Sequence, residues 1–473
     1  MTPRLRELLA TADLRGWTEV SVEYGTRQIA LRVPEGCVTL GMKEAVPLAD
    51  PAAAIRAAIA RPTGSPPLAE IVRGKGKDPA ALTVCIATSD ITRPVPYRGP
   101  GGILGPLLAA LRGAGVRDDH VTILVGTGTH RPSTPEEKVA MFGADVVGAY
   151  RVADHDCDDD GALVHAGRTR GGTDILVNRT FAGADLRIAT GLVESHFMAG
   201  VSGGRKAVCP ALVSRKTIER FHSVDFLDSP AATNLVLDGN PCHEEALEVA
   251  RRVGVDFTVN VVLDRRLAIL GVYAGDLERS HEAAYRHVKD VVVVPVDREY
   301  DVVLTHGGYV GINHYQNAKA ACNALPAVRQ GGSVILVACE RDVDPVGPAT
   351  YRTLLHLLKL QGWQRYLELL RSPSWRFTRD QWEPQMWGKV LGKIGEEGMI
   401  YCSSILPRAE GAIVPGRLGW EFVEDGPVGD DAERARAMAQ NAIVACALDE
   451  RWRGRRPSFA FVREGPYAIP VRR

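Results

Sequence analysis

Three consecutive segments define the architecture of the first half of the chain: LTVCIATSD at Leu82–Asp90, ILGPLLAALRGAG at Ile103–Gly115 and VTILVG at Val121–Gly126. The first and third are short, continuous apolar runs, which is the pattern of strands covered on both faces of a sheet. The middle segment places its leucines at helical spacing, and turn-forming residues separate it from the first strand. Strand, helix and strand in this order predict a β-loop-α unit of a parallel sheet.

The same pattern continues along the chain, with a further strand at DLRIATGL (Asp185–Leu192) and a helical linker at Leu277–Asp290. A second series then begins, with strands at VVVVPV (291–296), DVVLTHGGY (301–309), GSVILVAC (332–339), GAIVPG (411–416) and SFAFV (458–462), and helices at 314–328 and 430–447. We predict an α/β protein of two doubly wound domains with mostly parallel sheets and an active-site cleft between them. The cofactor-binding and catalytic domain is expected at residues 1–290 and a substrate-closing domain at 291–473, with packing of the C-terminal tail on the first domain as the alternative.

Composition excludes several classes of protein. The 473 residues are 45% hydrophobic and 24% charged, as in soluble globular chains, and 57 basic residues balance 57 acidic ones, which leaves no net attraction for nucleic acid. No apolar run approaches the roughly 18 residues of a membrane span, and the N-terminus lacks the apolar core of a signal peptide. The nine cysteines are scattered without a CxxC pair, as in a reducing compartment. We expect a cytoplasmic protein that binds neither nucleic acid nor a membrane.

Two motifs follow predicted strands directly. SDITRP places Asp90 and Arg93 after the first strand, and an arginine there is suited to clamping a carboxylate, although a surface arginine in a strand-ending turn explains the motif equally well. GTGTHRP places His130 in a loop after the next strand, where an imidazole can act as a general base. The spacing is not GxGxxG, so a dinucleotide fingerprint is absent.

A third motif, ESHFMAGVSGGRKAVCP at Glu194–Pro210, combines His196 with a glycine-rich loop that ends at Lys206. Such a loop can hold a phosphate or an attached cofactor, and the alternative is an ordinary anion-binding loop, although P-loop spacing is not met. His222 lies sixteen residues beyond Lys206. One histidine cannot complete a metal site, so a metal there needs donors from elsewhere, and a helix-end histidine is the simpler interpretation.

Taken together, DITRP, GTGTHRP, ESHF…GVSGGRK, FHS and GGY…YQNAK resemble the nickel-pincer-nucleotide-dependent lactate racemase family, in the same order over residues 80 to 325. The resemblance implies a 2-hydroxy-acid racemase or epimerase. It implies a nickel-bearing pyridinium-3-thioamide-5-thiocarboxylic acid mononucleotide joined to Lys206, with His222 as the protein ligand of nickel. His130 and His196 are then the two acid/base residues, one for each face of the substrate, while hydride moves between substrate C2 and the cofactor.

The resemblance assigns the remaining candidates less sharply. Arg93 and Lys319 match family residues that bind the carboxylate and the hydroxyl side of the substrate. Tyr315 and Gln316 match family positions near the cofactor and the substrate. Asp90 is expected to orient Arg93 or to touch the nucleotide. Phosphate binding is expected from the backbones around Thr127 and Gly128 and around Ser202, Gly203 and Gly204.

Several alternatives stay open at this point. GGYVGINHYQNAK departs from the loop expected of lactate enzymes, so a sugar-acid epimerase with the same cofactor is the second hypothesis, and a non-catalytic nickel- or nucleotide-binding protein is the third. The expected partners are a small 2-hydroxy acid and cofactor-maturation enzymes, without which heterologous protein should carry an unmodified Lys206. The segment Trp363–Trp387 is interpreted as core or interface, with a mobile cover over the cleft as the alternative. The oligomeric state is not predicted.

Overall fold

The predicted β-loop-α unit is present and is followed by more of its kind. The computed structural model describes residues 1–424, 426, 429–452 and 454–473. In chain order the strands are β1 (Thr18–Tyr24), β2 (Arg27–Val33), β3 (Val38–Leu40), β4 (Val84–Ser89), β5 (Val121–Gly126), β6 (Arg151–Asp154), β7 (Leu163–Arg168), β8 (Asp174–Asn178), β9 (Leu186–Leu192), β10 (Ser195–His196), β11 (Gly200–Val201), β12 (Phe257–Leu263), β13 (Ile269–Gly275), β14 (Val293–Val296), β15 (Tyr300–His306), β16 (Val328–Val337), β17 (Met399–Cys402), β18 (Arg417–Leu418), β19 (Phe459–Val462) and β20 (Ile469–Arg472).

The helices are α1 (Pro3–Thr11), α2 (Pro51–Ala60), α3 (Leu68–Gly74), α4 (Leu104–Gly113), α5 (Pro135–Phe142), α6 (Ala144–Ala149), α7 (Arg179–Ala182), α8 (Arg215–Phe221), α9 (Val224–Asp228), α10 (Pro241–Val253), α11 (Leu277–Val292), α12 (His314–Ala324), α13 (Ala349–Arg371), α14 (Trp382–Ile394) and α15 (Asp431–Ala447). Local sequence explains where several begin. Helix α5 starts at a capping box in which Thr134 and Glu137 satisfy each other's backbone amides.

Among the described residues, we find no helix that combines the length and the apolar character needed to cross a bilayer.

The chain forms two compact units, residues 44–291 and residues 1–43 together with 292–473. The first unit contains a six-stranded sheet in the order β13-β12-β9-β4-β5-β6. All neighbouring pairs are parallel except β12 and β13. Its core is built from the buried faces of these strands and from helix α4, whose Leu104, Leu107, Leu108 and Leu111 are all buried. The leucine spacing therefore predicted the buried face of α4 correctly.

The second unit contains a six-stranded sheet in the order β18-β17-β16-β15-β19-β3, and every pairing in it is parallel. A separate antiparallel hairpin, β1 with β2, turns at Gly25, which has a φ of 62°. The predicted α/β class with mostly parallel sheets is confirmed.

Two details differ from the sequence-based expectations. Residues 1–43 lie in the unit that contains the C-terminal residues, because β3 hydrogen-bonds to β19 at the edge of that sheet. The C-terminal strands β19 and β20 also lie in this unit.

The segment GAIVPG is not a strand: the strand beside β16 is MIYC at Met399–Cys402, and a 3-10 turn covers Arg408–Ala412. Pro415 and its flanking glycine suit a turn better than a ladder of hydrogen bonds.

Candidate active site

Three polar loops leave neighbouring strands at one edge of the sheet in residues 44–291. β4 lies between β5 and β9, and β4 and β5 are in register up to their last residues. The loop after β4 carries Asp90 and Arg93, the loop after β5 carries His130, and the loop after β9 carries His196 and Lys206. Because parallel strands end at the same edge, the sheet brings these three loops together, as the motifs predicted.

Asp90 contacts His130. The Asp90 Oδ2 atom lies 2.6 Å from His130 Nδ1, and Asp90 Oδ1 accepts from the Thr92 hydroxyl at 2.6 Å. Burial raises the pKa of Asp90, but the hydrogen bond and charge of His130, together with Thr92 and Arg93, outweigh it, and this pKa is lowered from its ordinary value. Since a carboxylate only accepts hydrogen bonds, Nδ1 of His130 carries a hydrogen, and in the neutral form of the ring the lone pair lies on Nε2.

His196 has the opposite arrangement of its ring nitrogens. Its Nδ1 accepts from the backbone amides of Met198 and Ala199 at 3.2 and 3.3 Å, and its Nε2 lies 2.9 Å from Lys206 Nζ. A neutral imidazole has one acceptor nitrogen only, so Nε2 carries the hydrogen and the Lys206 amine accepts it. The contact therefore requires Lys206 in its uncharged form.

The surroundings of Lys206 favour that uncharged form. Burial, followed by the charges of Arg93 and Arg205, lowers the pKa of Lys206 to about 7. Its Nζ lies 5.2 Å from the centre of the Phe221 ring. Desolvation disfavours an ammonium ion, and neighbouring cations act in the same direction. Lys206 is thus an amine that can react as a nucleophile near neutral pH.

His222 follows the last residue of α8. Its Nδ1 lies 3.0 Å from the Ile218 carbonyl, so Nδ1 donates a hydrogen and the lone pair belongs to Nε2. Burial lowers the pKa of His222 to about 3, although the Ile218 carbonyl acts in the opposite direction. A neutral ring whose tautomer is fixed through one nitrogen is the state in which histidine binds a metal through the other.

The groups expected to bind phosphate have partners inside the protein. The Thr127 hydroxyl donates to the His155 carbonyl and the Gly128 amide to the Ala211 carbonyl. In the second loop, Ser202 Oγ donates to the Leu192 carbonyl at 2.7 Å. The amide of Gly204 donates to Asn260 Oδ1 at 3.0 Å, and Gly203 has a φ of 71° that suits glycine. In the structure, these groups fix the shapes of their loops.

The remaining candidates lie on helix α12 of the other unit. The Asn313 side chain caps the helix by accepting from the Gln316 amide at 2.9 Å. Tyr315 and Lys319 are four residues apart and Gln316 and Lys319 three, so the three side chains share one helix face. The loop before the helix passes close to Asn317, whose Oδ1 lies near Gly307 and Gly311. A Cβ at either glycine would collide with that oxygen, which explains the first and last glycines of GGYVG.

Tyr315 is tied to the tryptophan-rich segment. Its hydroxyl accepts from Trp382 Nε1 at 3.0 Å and donates to Asp380 at 3.4 Å. Trp382 and Trp387 are 7% and 1% exposed, so these two are core residues, whereas Trp363 and Trp375 are half-buried. Sequence reasoning did not identify the contacts of Asp380 and Trp382 with Tyr315, because 65 and 67 residues separate the partners.

Comparisons with known proteins identify the family of this chain. The family model described as the lactate racemase N-terminal domain matches residues 24–234, which include every predicted site residue of the first unit. The lactate racemase of Lactiplantibacillus plantarum is 36% identical over 332 residues, covering 70% of this chain and 75% of that protein. This chain belongs to the lactate racemase family. A second lactate racemase, from Thermoanaerobacterium thermosaccharolyticum, is 31% identical over 71% of this chain and 76% of its own length.

Solved structures agree with the family assignment. The lactate racemase apoprotein from Thermoanaerobacterium thermosaccharolyticum matches 96% of this chain and 100% of its own, with a TM-score of 0.80 and 25% identity. A Thermotoga maritima protein matches 87% of this chain at a TM-score of 0.59 and 19% identity, which shows a shared fold only. The resemblance seen in the motifs is confirmed. The curated relatives are racemases, so the predicted enzyme class, isomerase, is also confirmed.

The glycine-rich loop of this lactate racemase family member allows a test of its packing. Gly204 has a φ of 51°, and a Cβ added there would lie 2.7 Å from the His281 ring. We expect Gly204→Ala to lower the free energy of unfolding by about 1–3 kcal/mol, measured by urea denaturation. Gly105→Ala is the control, because its position in α4 leaves space for a Cβ. Equal stability of Gly204→Ala and wild type would contradict this account of the loop.

Proposed function

We propose that this chain interconverts the two enantiomers of a 2-hydroxy acid, with lactate as the first candidate substrate. Membership of the lactate racemase family supports the reaction class. The observation that carries the proposal is the opposite contact at Nδ1 of the two imidazoles, a carboxylate at His130 and backbone amides at His196. In their neutral forms the rings then differ at Nε2, with a lone pair in His130 and a hydrogen in His196. One resting base and one resting acid are what inversion at a single carbon requires.

The residues around Lys206 fit the nickel-pincer nucleotide that the resemblance implies. Lys206 offers a neutral amine for a covalent link, and His222 offers a nitrogen donor whose tautomer is already fixed. A nitrogen ligand suits Ni(II), and one protein donor suffices where the cofactor supplies the other positions. When bound, the group would supply the hydride acceptor for the hydrogen on substrate C2.

The protein side chains would handle the carboxylate and the protons. Arg93 would bind the substrate carboxylate through its planar guanidinium. His130 would accept the hydroxyl proton of one enantiomer at Nε2. His196 would donate from Nε2 to the 2-oxo oxygen, which becomes the hydroxyl of the other enantiomer. The roles exchange in the reverse direction, so each histidine serves one enantiomer.

The shared face of α12 would serve the same reaction. We propose that Lys319 contacts the hydroxyl side of the substrate and that Tyr315 and Gln316 lie near the cofactor and substrate. The capped start of the helix and the hydrogen bonds of Tyr315 to Trp382 and Asp380 support fixed positions for these side chains.

The test needs protein coexpressed with cofactor-maturation enzymes, which are the proposed partners. Intact mass should show an adduct on Lys206, metal analysis should show nickel, and chiral chromatography should show conversion of either enantiomer of lactate to the mixture. Loaded protein that leaves every 2-hydroxy acid of a panel unchanged would rule the proposal out. Conversion of sugar acids but not lactate would favour the epimerase hypothesis.

The Asp90 contact gives a further prediction. We expect Asp90→Asn to lower kcat by at least about 10-fold, because an amide does not select the Nδ1–H tautomer of His130 as a carboxylate does. Since the pKa of Asp90 is lowered on folding, its pairing stabilises the protein above the unfolded value of about 4 and is lost as pH falls through the folded value. The difference in Tm between wild type and variant should therefore shrink in acid.

Asp174→Asn is the matched control for this prediction. Asp174 is an exposed carboxylate of the same unit that pairs with Arg168. Racemisation should be unaffected by that change. A kcat of Asp90→Asn equal to that of the control would show that Asp90 does not orient His130.

A further inference from the structure

Arg205 is the largest buried cation beside the candidate site. It is 1% exposed. One terminal nitrogen of the guanidinium donates to the carbonyls of Ala199 and Val201, both at 2.8 Å. The other lies 2.8 Å from His281 Nε2, an atom that also lies 2.9 Å from the Ser202 carbonyl. It makes longer contacts to two more carbonyls, those of residues 202 and 203.

In the described part of the chain, all of these hydrogen bonds go to neutral acceptors. Burial without a carboxylate partner is costly for a guanidinium, and burial lowers the pKa of Arg205 to about 9. A neutral side chain such as Met would fill similar space at lower cost. The contacts of Arg205 therefore need a reason other than the stability of the fold.

The place of Arg205 in the loop suggests that reason. The carbonyls it binds lie on the hairpin of β10 and β11, which also holds His196, and Lys206 is the next residue along the chain. The guanidinium thus links the two segments whose side chains meet at 2.9 Å. Its charge also acts on the Lys206 amine in the direction that favours the neutral form.

We propose that Arg205 is a positioning residue whose guanidinium fixes the contact between the His196 ring and the Lys206 amine. The contact belongs to the apoprotein, since the proposed function joins the Lys206 amine to the cofactor. The importance of the resulting His196 position for turnover rests on that proposed function. The contact itself can be measured in the apoprotein without any activity.

The test uses three variants. Arg205→Lys keeps the charge, but its single ammonium group cannot reproduce the guanidinium contacts with the carbonyls of Ala199 and Val201. Arg205→Ala removes the side chain and leaves a space that a guanidinium ion can fill. Arg187→Lys is the matched control, because Arg187 also donates to a carbonyl, that of Val253 at 2.6 Å, but at the start of β9 rather than at its end. The probe is the ¹⁵N spectrum of histidine-labelled apoprotein, with the His196 signals assigned from His196→Gln.

We expect His196 to show one Nε2–H tautomer in wild type and Arg187→Lys, and a mixture of tautomers in Arg205→Lys. In loaded enzyme, Arg205→Lys should lower kcat by about 10- to 100-fold with little change in KM, because the carboxylate site is intact. Millimolar guanidinium should restore part of the kcat of Arg205→Ala, whereas urea at the same concentration should not.

The outcomes separate the hypotheses. A wild-type His196 spectrum in Arg205→Lys would overturn the proposal, whatever the activity. If Arg205→Ala does not fold, the Arg205→Lys spectrum decides. A wild-type enzyme that racemises nothing would remove the proposed function, yet the spectrum of the apoprotein would still test the position of His196.

Discussion

Replacing either His130 or His196 by alanine should lower kcat by about 10²- to 10⁴-fold, or about 2.7–5.5 kcal/mol of transition-state stabilisation. The physical reason is that each imidazole is held through its Nδ1, by Asp90 in one case and by backbone amides in the other. Each presents Nε2 in a defined state. Water that enters the space left by the imidazole is not held in position, so it transfers the proton much more slowly. The measurement is the initial rate from each pure enantiomer of lactate.

Both variants should retain the mass adduct on Lys206, which separates loss of proton transfer from loss of cofactor. His165→Ala is the control, because this histidine of the same unit is exposed and lies 3.6 Å from Asp174. Racemisation at the wild-type rate by either active-site variant would contradict a mechanism with two histidines.

The sequence predicted the sheets well because their signals are local. Short apolar runs followed by polar loops placed β4, β5 and β9, and the rule that parallel strands end at one edge placed three motifs together. Residues 1–43 were assigned to the wrong neighbours because the pairing of β3 with β19 joins segments more than 400 residues apart, and a three-residue strand has no distinctive periodicity.

The candidate site was predicted in its residue types but not in its contacts. Motif order identified His130, His196, Lys206 and His222, and the structure brings them into one unit. The Asp90 contact with His130 was not predicted, because a 40-residue separation leaves no pattern in the sequence. Arg205 was passed over for a different reason, since an arginine in a polar loop is ordinarily solvated.

The amine of Lys206 also gives the apoprotein a pH dependence of stability. Because its pKa is lowered on folding to about 7, the folded chain binds this proton less readily than the unfolded chain, whose lysine titrates near 10.4. The contribution of Lys206 to stability therefore falls as pH drops from about 10 to about 7. Lys206→Met should remove this part of the pH dependence, measured as the difference in Tm between variant and wild type.

Replacing Lys206 should have the largest effect on the loaded enzyme. Lys206→Ala and Lys206→Arg should both lack the adduct and reduce racemisation to background, since alanine has no amine and a guanidinium stays charged and is not a nucleophile at neutral pH. Lys216→Ala, at an exposed lysine of α8, should keep both adduct and activity. Intact mass measured after coexpression with the maturation enzymes decides the matter. An adduct that persists in Lys206→Ala would place the covalent link on another residue, and the neutral amine beside His196 would then need a different explanation.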